Sequence, residues 1–217
     1  MQRTLTIAPL VLATTLLGAC DNPADSTFST EATDAKEVTP ADIPENAVTI
    51  ELTGDNTTVE WTGSKPTGSS HDGGFKTLDG TAIVVDDALT SIEATIEIGS
   101  MWSDNNDLTT HLLNEDFFDS TAFPESKFVS TEIREATDAD KTEEAAEATH
   151  FITGNFTLRG VTKSIAFPVT VSADDTAYKL DAEFDINRGQ FGMDYGLADA
   201  AIRDEVVIRL KFDLAKP

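Results

Sequence analysis

From Val48 onward, apolar and polar residues alternate one for one, and this period constrains the fold more than any other feature. In Ser91–Ile98, Ile92, Ala94, Ile96 and Ile98 alternate with Ser91, Glu93, Thr95 and Glu97. Ser164–Val171 repeats it through Ile165, Phe167, Val169 and Val171. Tyr178–Ile186 does so through Tyr178, Leu180, Ala182, Phe184 and Ile186, and Val206, Ile208, Leu210 and Phe212 close the chain. A two-residue period puts one face of a strand in the core and the other in water. Shorter strands are predicted at Val48–Leu52, Thr58–Thr62, Gly74–Val85, Ser126–Ile133 and Thr149–Leu158. About eight such strands must cover their apolar faces, in an antiparallel barrel or a two-sheet sandwich. Alternation does not separate the two, because both bury every second residue.

Two segments break the period. Asp107–Phe118 spaces Leu108, Leu112 and Leu113 as a helix does, and Asp107 is available as its cap. Asn187–Arg203 carries Gly189, Gly192 and Gly196 among Phe191, Met193 and Tyr195, which reads as a glycine-jointed mouth or lid. Ala136–Thr149, rich in Ala and acids, reads as a solvated hairpin extension without chemical role.

The N-terminus reads as an address. Arg3 precedes an apolar stretch of roughly a dozen residues and then small ones, the pattern of a secretory signal peptide over residues 1–19. Leu17-Gly18-Ala19-Cys20 resembles a bacterial lipobox, which implies acylation of Cys20, the chain's one cysteine. The expected setting is the bacterial cell envelope, with the protein lipid-anchored and facing the periplasm. Residues 20–47 hold Pro23, Pro40 and Pro44 among many Ser, Thr, Asp and Glu and show no apolar period; they read as a disordered acidic tether. Residues 48–217 form the single folded domain.

Charge and motifs then narrow the chemistry. Fifteen Lys and Arg against 39 Asp and Glu give a formal net charge of −24, which repels nucleic acid phosphates. One cysteine makes neither an intrachain disulfide nor a cysteine zinc site. No nucleophile elbow, phosphate-binding loop or His-Glu-x-x-His is present, and no cofactor motif is found. His111 and Glu115 share one helical face, but without further convergent ligands the pair reads as a surface contact rather than a metal site. His71, in the Gly68–Gly74 turn, reads as a turn residue or headgroup contact, since no nucleophile accompanies it. Twelve Phe against two Trp and two Tyr is an aromatic set poor in polar tips, suited to an apolar interior. An eight-stranded barrel keeps a cavity when its inward residues do not fill it.

Three stretches, taken in order, resemble the YceI-like family of lipid- and polyisoprenoid-binding proteins. The first is Val59-Glu60-Trp61-Thr62-Gly63-Ser64-Lys65, leading to His71-Asp72-Gly73-Gly74-Phe75 and Asp79-Gly80. The second runs from His111-Leu112-Leu113-Asn114-Glu115-Asp116-Phe117-Phe118-Asp119 to Phe123-Pro124-Glu125-Ser126-Lys127-Phe128. The third is Gly154-Asn155-Phe156-Thr157-Leu158-Arg159-Gly160-Val161-Thr162-Lys163, followed by Asn187-Arg188-Gly189-Gln190-Phe191-Gly192-Met193 and Asp204-Glu205-Val206. The resemblance implies an all-β, lipocalin-like, eight-stranded antiparallel barrel with a short helix, an elongated pocket for an isoprenoid or other amphipathic lipid, no catalysis, and often a homodimer. The second stretch reads Leu-Leu-Asn-Glu where the family more often has Leu-Lys-Ser-Asp, which removes a cation. A neutral alcohol, quinone or fatty amide headgroup therefore suits this acidic chain better than a pyrophosphate.

The inward rows nominate Ile92, Ile96, Ile98, Ile152, Phe156, Ile165, Phe167, Val169, Phe184, Ile186, Ile208 and Leu210 as ligand contacts, and His71, His111, Arg188 and Phe191 as the mouth. The alternative is a non-catalytic structural or protein-interaction β-domain with a filled core. An internal void of about 300 Å³ or more separates the two readings.

Overall fold

The computed structural model describes residues 22–38, 43–194 and 196–216. The expected signal peptide, Cys20 and Tyr195 lie outside the described residues. Among the described residues, thirteen strands and one α-helix follow in chain order: β1 (Phe28–Ser29), β2 (Thr33–Asp34), β3 (Val48–Thr53), β4 (Thr57–Ser64), β5 (Ser70–Phe75), β6 (Leu78–Val85), β7 (Ala88–Glu97), β8 (Met101–Ser103), α1 (Asn106–Leu112), β9 (Glu125–Glu135), β10 (His150–Leu158), β11 (Val161–Ala173), β12 (Ala177–Asn187) and β13 (Glu205–Ala215). Among the described residues, no helix is long and apolar enough to cross a membrane.

The strands make one curled sheet in the order β3-β6-β7-β9-β10-β11-β12-β13-β4-β5-β8. The pairings along this order are antiparallel. β8 follows β7 after a three-residue 3-10 turn, Ile98–Ser100, and pairs β5 through Gly73↔Ser103, Gly74↔Trp102 and Phe75↔Met101. The curl thus returns to its own start, which makes the all-β fold barrel-like. Its longest continuous ladder joins β12 to β13 in register from Ala177↔Ala215 to Asn187↔Glu205.

Two bulges help the sheet to curl, since an extra residue bends and twists its strand. The registers shift between Ile83 and Val84 on β6 and between Thr153 and Gly154 on β10. At each, a threonine hydroxyl from the facing strand donates to the carbonyl opposite: Thr90 to Ile83 O (3.0 Å) and Thr131 to Thr153 O (3.3 Å). The hairpins β6–β7 and β10–β11 turn on Asp86-Asp87 and Arg159-Gly160, all four at positive φ, as two-residue turns matched to strand twist require.

Four local expectations are corrected. The helix was expected over Asp107–Phe118 with Asp107 as cap. It spans Asn106–Leu112, and Asn105 is its cap, accepting from the Asp107 and Leu108 amides at 2.9 and 3.1 Å. A tight turn follows, in which Asn114 O accepts from the Phe117 and Asp119 amides. Consecutive helical residues point about 100° apart; the turn instead lets Phe117 bury and Phe118 pack on the same core. The strand expected over Gly74–Val85 breaks at Lys76-Thr77, where the Ser100 hydroxyl accepts from both amides. Ala136–Thr149 links β9 to β10 and is exposed along most of its length, but it is not wholly solvated. Ala145 and Ala148 pack under Phe151, and Arg134 pairs Asp140 through both guanidinium nitrogens.

The fourth correction concerns the tether. Residues 22–38 pack on the barrel rather than standing off as disordered chain. β1 runs parallel to β12 (Phe28↔Phe184, Ser29↔Asp185) and β2 antiparallel to β11 (Lys163↔Asp34, Ser164↔Thr33). The Thr27 and Ser29 hydroxyls donate to the Asp185 carboxylate at 3.2 and 3.1 Å. Asn155 donates to Lys36 O and accepts from Lys36 N–H at 2.7 and 2.9 Å. These partners lie more than a hundred residues away along the chain, so local polarity gave no sign of them.

Inside the barrel two glycines make room for rings. A methyl group on Gly73 would run into the Trp61 indole and the Trp102 carbonyl. One on Gly154 would run into the Phe128 ring and the Val129 carbonyl. Overpacking of this kind costs about 1–3 kcal/mol. Gly73→Ala and Gly154→Ala should each lower the free energy of unfolding by that amount, read from urea midpoints. A second expectation concerns the β11–β12 turn. Asp174 accepts from the Thr176 hydroxyl (2.7 Å), the Thr176 amide (2.8 Å) and the Ala177 amide (2.9 Å), and these bonds hold its pKa down at about 2. A carboxyl depressed on folding contributes stability that is complete above its unfolded pKa and is lost as pH falls through the folded one. The NMR midpoint of the Asp174 carboxyl should lie at about 2, and Thr176→Val should raise it toward 3.8.

Candidate ligand cavity

The inward rows line an apolar cavity of about 200 Å³. It runs along β4 from Thr57 to Gly63 and along β13 from Val206 to Phe212. Six residue steps of strand span about 20 Å. Every atom that the wall presents to the cavity is apolar. The volume exceeds the roughly 150 Å³ of an apolar void that accepts a benzene ring. It is smaller than the roughly 300 Å³ set above as the dividing value.

Phenylalanines set that size. Phe167 and Phe184 stack across β11 and β12 with centroids 4.3 Å apart and planes at 14°. Phe128 leans on Phe167 at 5.7 Å. Phe118 meets Phe75 edge-on at 6.1 Å. Ring pairs of this kind add about 0.5–1.5 kcal/mol beyond the area they bury, so they hold their places and leave the gap between them.

Ten of the twelve expected inward residues line the cavity: Ile92 and Ile96 on β7, Ile152 and Phe156 on β10, Ile165 and Phe167 on β11, Phe184 and Ile186 on β12, and Ile208 and Leu210 on β13. Ile98 and Val169 do not. Ile98 falls in the 3-10 turn after β7, where alternation stops, and is buried in solid core. Val169 keeps its inward parity but is packed on every side, at 1% exposure, without reaching the void.

The expected mouth is reassigned more heavily. His71 is half-buried on β5, with Nδ1 2.9 Å from the Asp104 carboxylate, and is absent from the wall. His111 sets its ring edge-on against Phe117 at 5.2 Å. Phe191 is fully buried one ring behind the wall, 5.2 Å from Phe156. Arg188 does reach the wall, but its guanidinium donates to Met193 O (2.5 Å), Arg203 O (3.1 Å) and Asp204 Oδ1 (3.0 Å). It ties the two ends of the 188–204 loop together and offers the cavity no charge. Arg159 fastens the same region by donating to Gly192 O and Glu115 O.

Several wall residues went unnominated. Val59, Trp61 and Gly63 form the inner row of β4. Their alternation was readable, although Gly63 carries no apolar signal. Phe118, Met193 and Ile202 come from irregular segments, where no period reports direction. No group of three or more His, Cys, Asp or Glu converges as a metal site among the described residues.

Comparison with known proteins follows the same outline. The chain matches the model of the YceI-like domain over residues 49–214. A UPF0312 protein of Pseudomonas putida strain W619 is 31% identical over 128 residues, covering 58% of this chain and 62% of the relative. A UPF0312 protein of Photorhabdus laumondii is 32% identical over 104 residues, covering 47% of each. The chain therefore spans about three fifths or less of the length of these relatives. Among solved structures, Burkholderia cenocepacia BcnA superimposes with a TM-score of 0.60 at 21% identity, over 74% of this chain and 96% of that one. A polyisoprenoid binding domain from Saccharophagus degradans gives 0.58 at 13% identity, over 78% and 98%. At such identities the superpositions speak for the fold, and with the domain match they give the conclusion: this chain belongs to the YceI-like family.

Proposed function

We propose that the protein is a lipoprotein of the bacterial envelope that holds an isoprenoid or other amphipathic lipid in its barrel, as a non-catalytic carrier or shield. The observation that carries this reading is the wholly apolar cavity along the barrel axis. The polyisoprenoid binding domain of Saccharophagus degradans, which has the same fold, supports it. Each methylene withdrawn from water contributes about 0.8 kcal/mol. Association itself costs about 4 kcal/mol or more. Roughly ten methylenes thus give some 8 kcal/mol gross and a weak net affinity, and a longer chain is needed to bind tightly. The wall supplies no polar partner, so a headgroup stays outside the void. At a net charge of −24 a neutral headgroup is favoured there.

The cavity volume favours a second reading in one respect. About 200 Å³ is short of a drug-sized pocket, as a filled structural or protein-interaction domain would have it. Lipid extraction and mass spectrometry of natively purified protein separates the two. A co-purified isoprenoid-type lipid supports the carrier; its absence, with no binding of added isoprenoids, supports the filled core. Ala94 lines the cavity from β7. Ala94→Phe should fill the void, keep or raise the melting temperature and weaken lipid binding at least tenfold. The anchor has its own measurement: the wild-type protein should partition into detergent and gain acyl mass, and Cys20→Ser should do neither.

A further inference from the structure

The cavity wall changes character between β11 and β12. These strands pair only from Thr170↔Asp181 to Ala173↔Tyr178. Beyond that point β11 continues toward Val161 and β12 toward Asn187 with no ladder between them. The sequence gives the cause. Val169 O accepts from the Thr149 amide, so residue 169 faces β10 and residue 168 faces β12. Residue 168 is Pro168, which has no N–H to donate at the next rung.

Two things occupy the split. On the inside the Phe167 and Phe184 rings stack across it. Along the free edges lie β1, paired with β12 at Phe184 and Asp185, and β2, paired with β11 at Lys163 and Ser164. Ile165, Phe167, Phe184 and Ile186, which flank the split, all line the cavity. We propose that this split is a side entrance through which an apolar chain reaches the cavity, and that residues 27–34 are its removable seal. The inference rests on the reading of the cavity as a lipid site.

The seal is made of the shortest strands in the wall. Its strands are two residues each, against the eleven-residue strands of the neighbouring β12–β13 ladder. Short, poorly packed segments open at a small fraction of the global unfolding free energy. Its polar grip is small, the Thr27 and Ser29 hydroxyls and the Thr30 amide on Asp185, and its one ring anchor is Phe28, edge-on to Phe151 at 5.6 Å. Asp185 is 2% exposed, and burial pushes its carboxyl pKa up, so the site it closes is costly to keep charged. The Thr30 hydroxyl is buried with no partner, a further cost of closure. The segment also lies outside the family domain at residues 49–214, so the shared fold is defined without it. Thr27 is only seven residues from Cys20. At about 3.5 Å per residue, an acyl anchor there would keep the split within roughly 25 Å of a bilayer.

The test locks the seal. Thr33 and Ser164 are directly opposed on antiparallel strands, a separation that a disulfide spans. Thr33→Cys with Ser164→Cys, in a Cys20→Ser background without the native thiol, gives one protein with a closable seam. Uptake of Nile red, a neutral apolar dye, is followed by stopped-flow fluorescence. The oxidised protein should load at least tenfold more slowly than the same protein reduced, with equilibrium affinity unchanged within twofold. Thr27→Val with Ser29→Ala should load several-fold faster than the parent. Tight dye binding at equal rates, oxidised and reduced, overturns the side entrance and leaves the cavity reading standing. Failure of the disulfide to form overturns the seal itself. No dye binding in any variant overturns both readings together.

Discussion

Each long strand of this protein has one face that water does not tolerate, and curling the sheet back on itself, with β7 running on into β8 beside β5, is how those faces are hidden together. The β5–β8 pairing and the long β12–β13 ladder contribute to this, and the bulges at Thr90 and Thr131 supply bend where a flat sheet would stay open. Side chains then decide whether the interior is solid. Trp61 and Phe128 occupy it only because Gly73 and Gly154 carry no side chain against them. Phe167 and Phe184 stack on each other instead of filling the centre, and the void lies beside them.

Charge is kept out of that interior by being spent nearby. Arg188, 4% exposed, satisfies loop carbonyls and Asp204. Asp185, equally buried, faces outward beneath Thr27 and Ser29. Both would be expensive if left unpaired. Each instead fixes an irregular segment, the 188–204 loop and the N-terminal strap, against the barrel. A wall with no polar atom on its inner face is the result. That wall suits a hydrocarbon and gives no grip on a headgroup.

The strands and most of the wall were legible because a period of two states which way each side chain points. Ile152, Phe156, Ile208 and Leu210 all line the cavity as that period requires. It failed at Ile98, where the strand had already become a 3-10 turn, and it was silent for Phe118 and Met193, which have no regular backbone to report direction. Single-residue chemistry was a poorer guide. His71 and His111 looked like mouth residues because they are rare and polar, but each is taken up by a neighbour: Asp104 for His71, Phe117 for His111.

The alternation alone fixed an all-β domain with one apolar face per strand, since no other backbone has a period of two, and the acid excess alone set the sign of the surface. Tertiary structure decided what lies inside and what lies across the seam. Cavity volume depends on how rings from different strands meet, as Phe128, Phe167 and Phe184 do. The fold of residues 22–38 depends on partners such as Asn155 and Asp185, far away in the chain. A one-dimensional pattern carries the direction of each side chain but not the distance between two that converge from opposite walls.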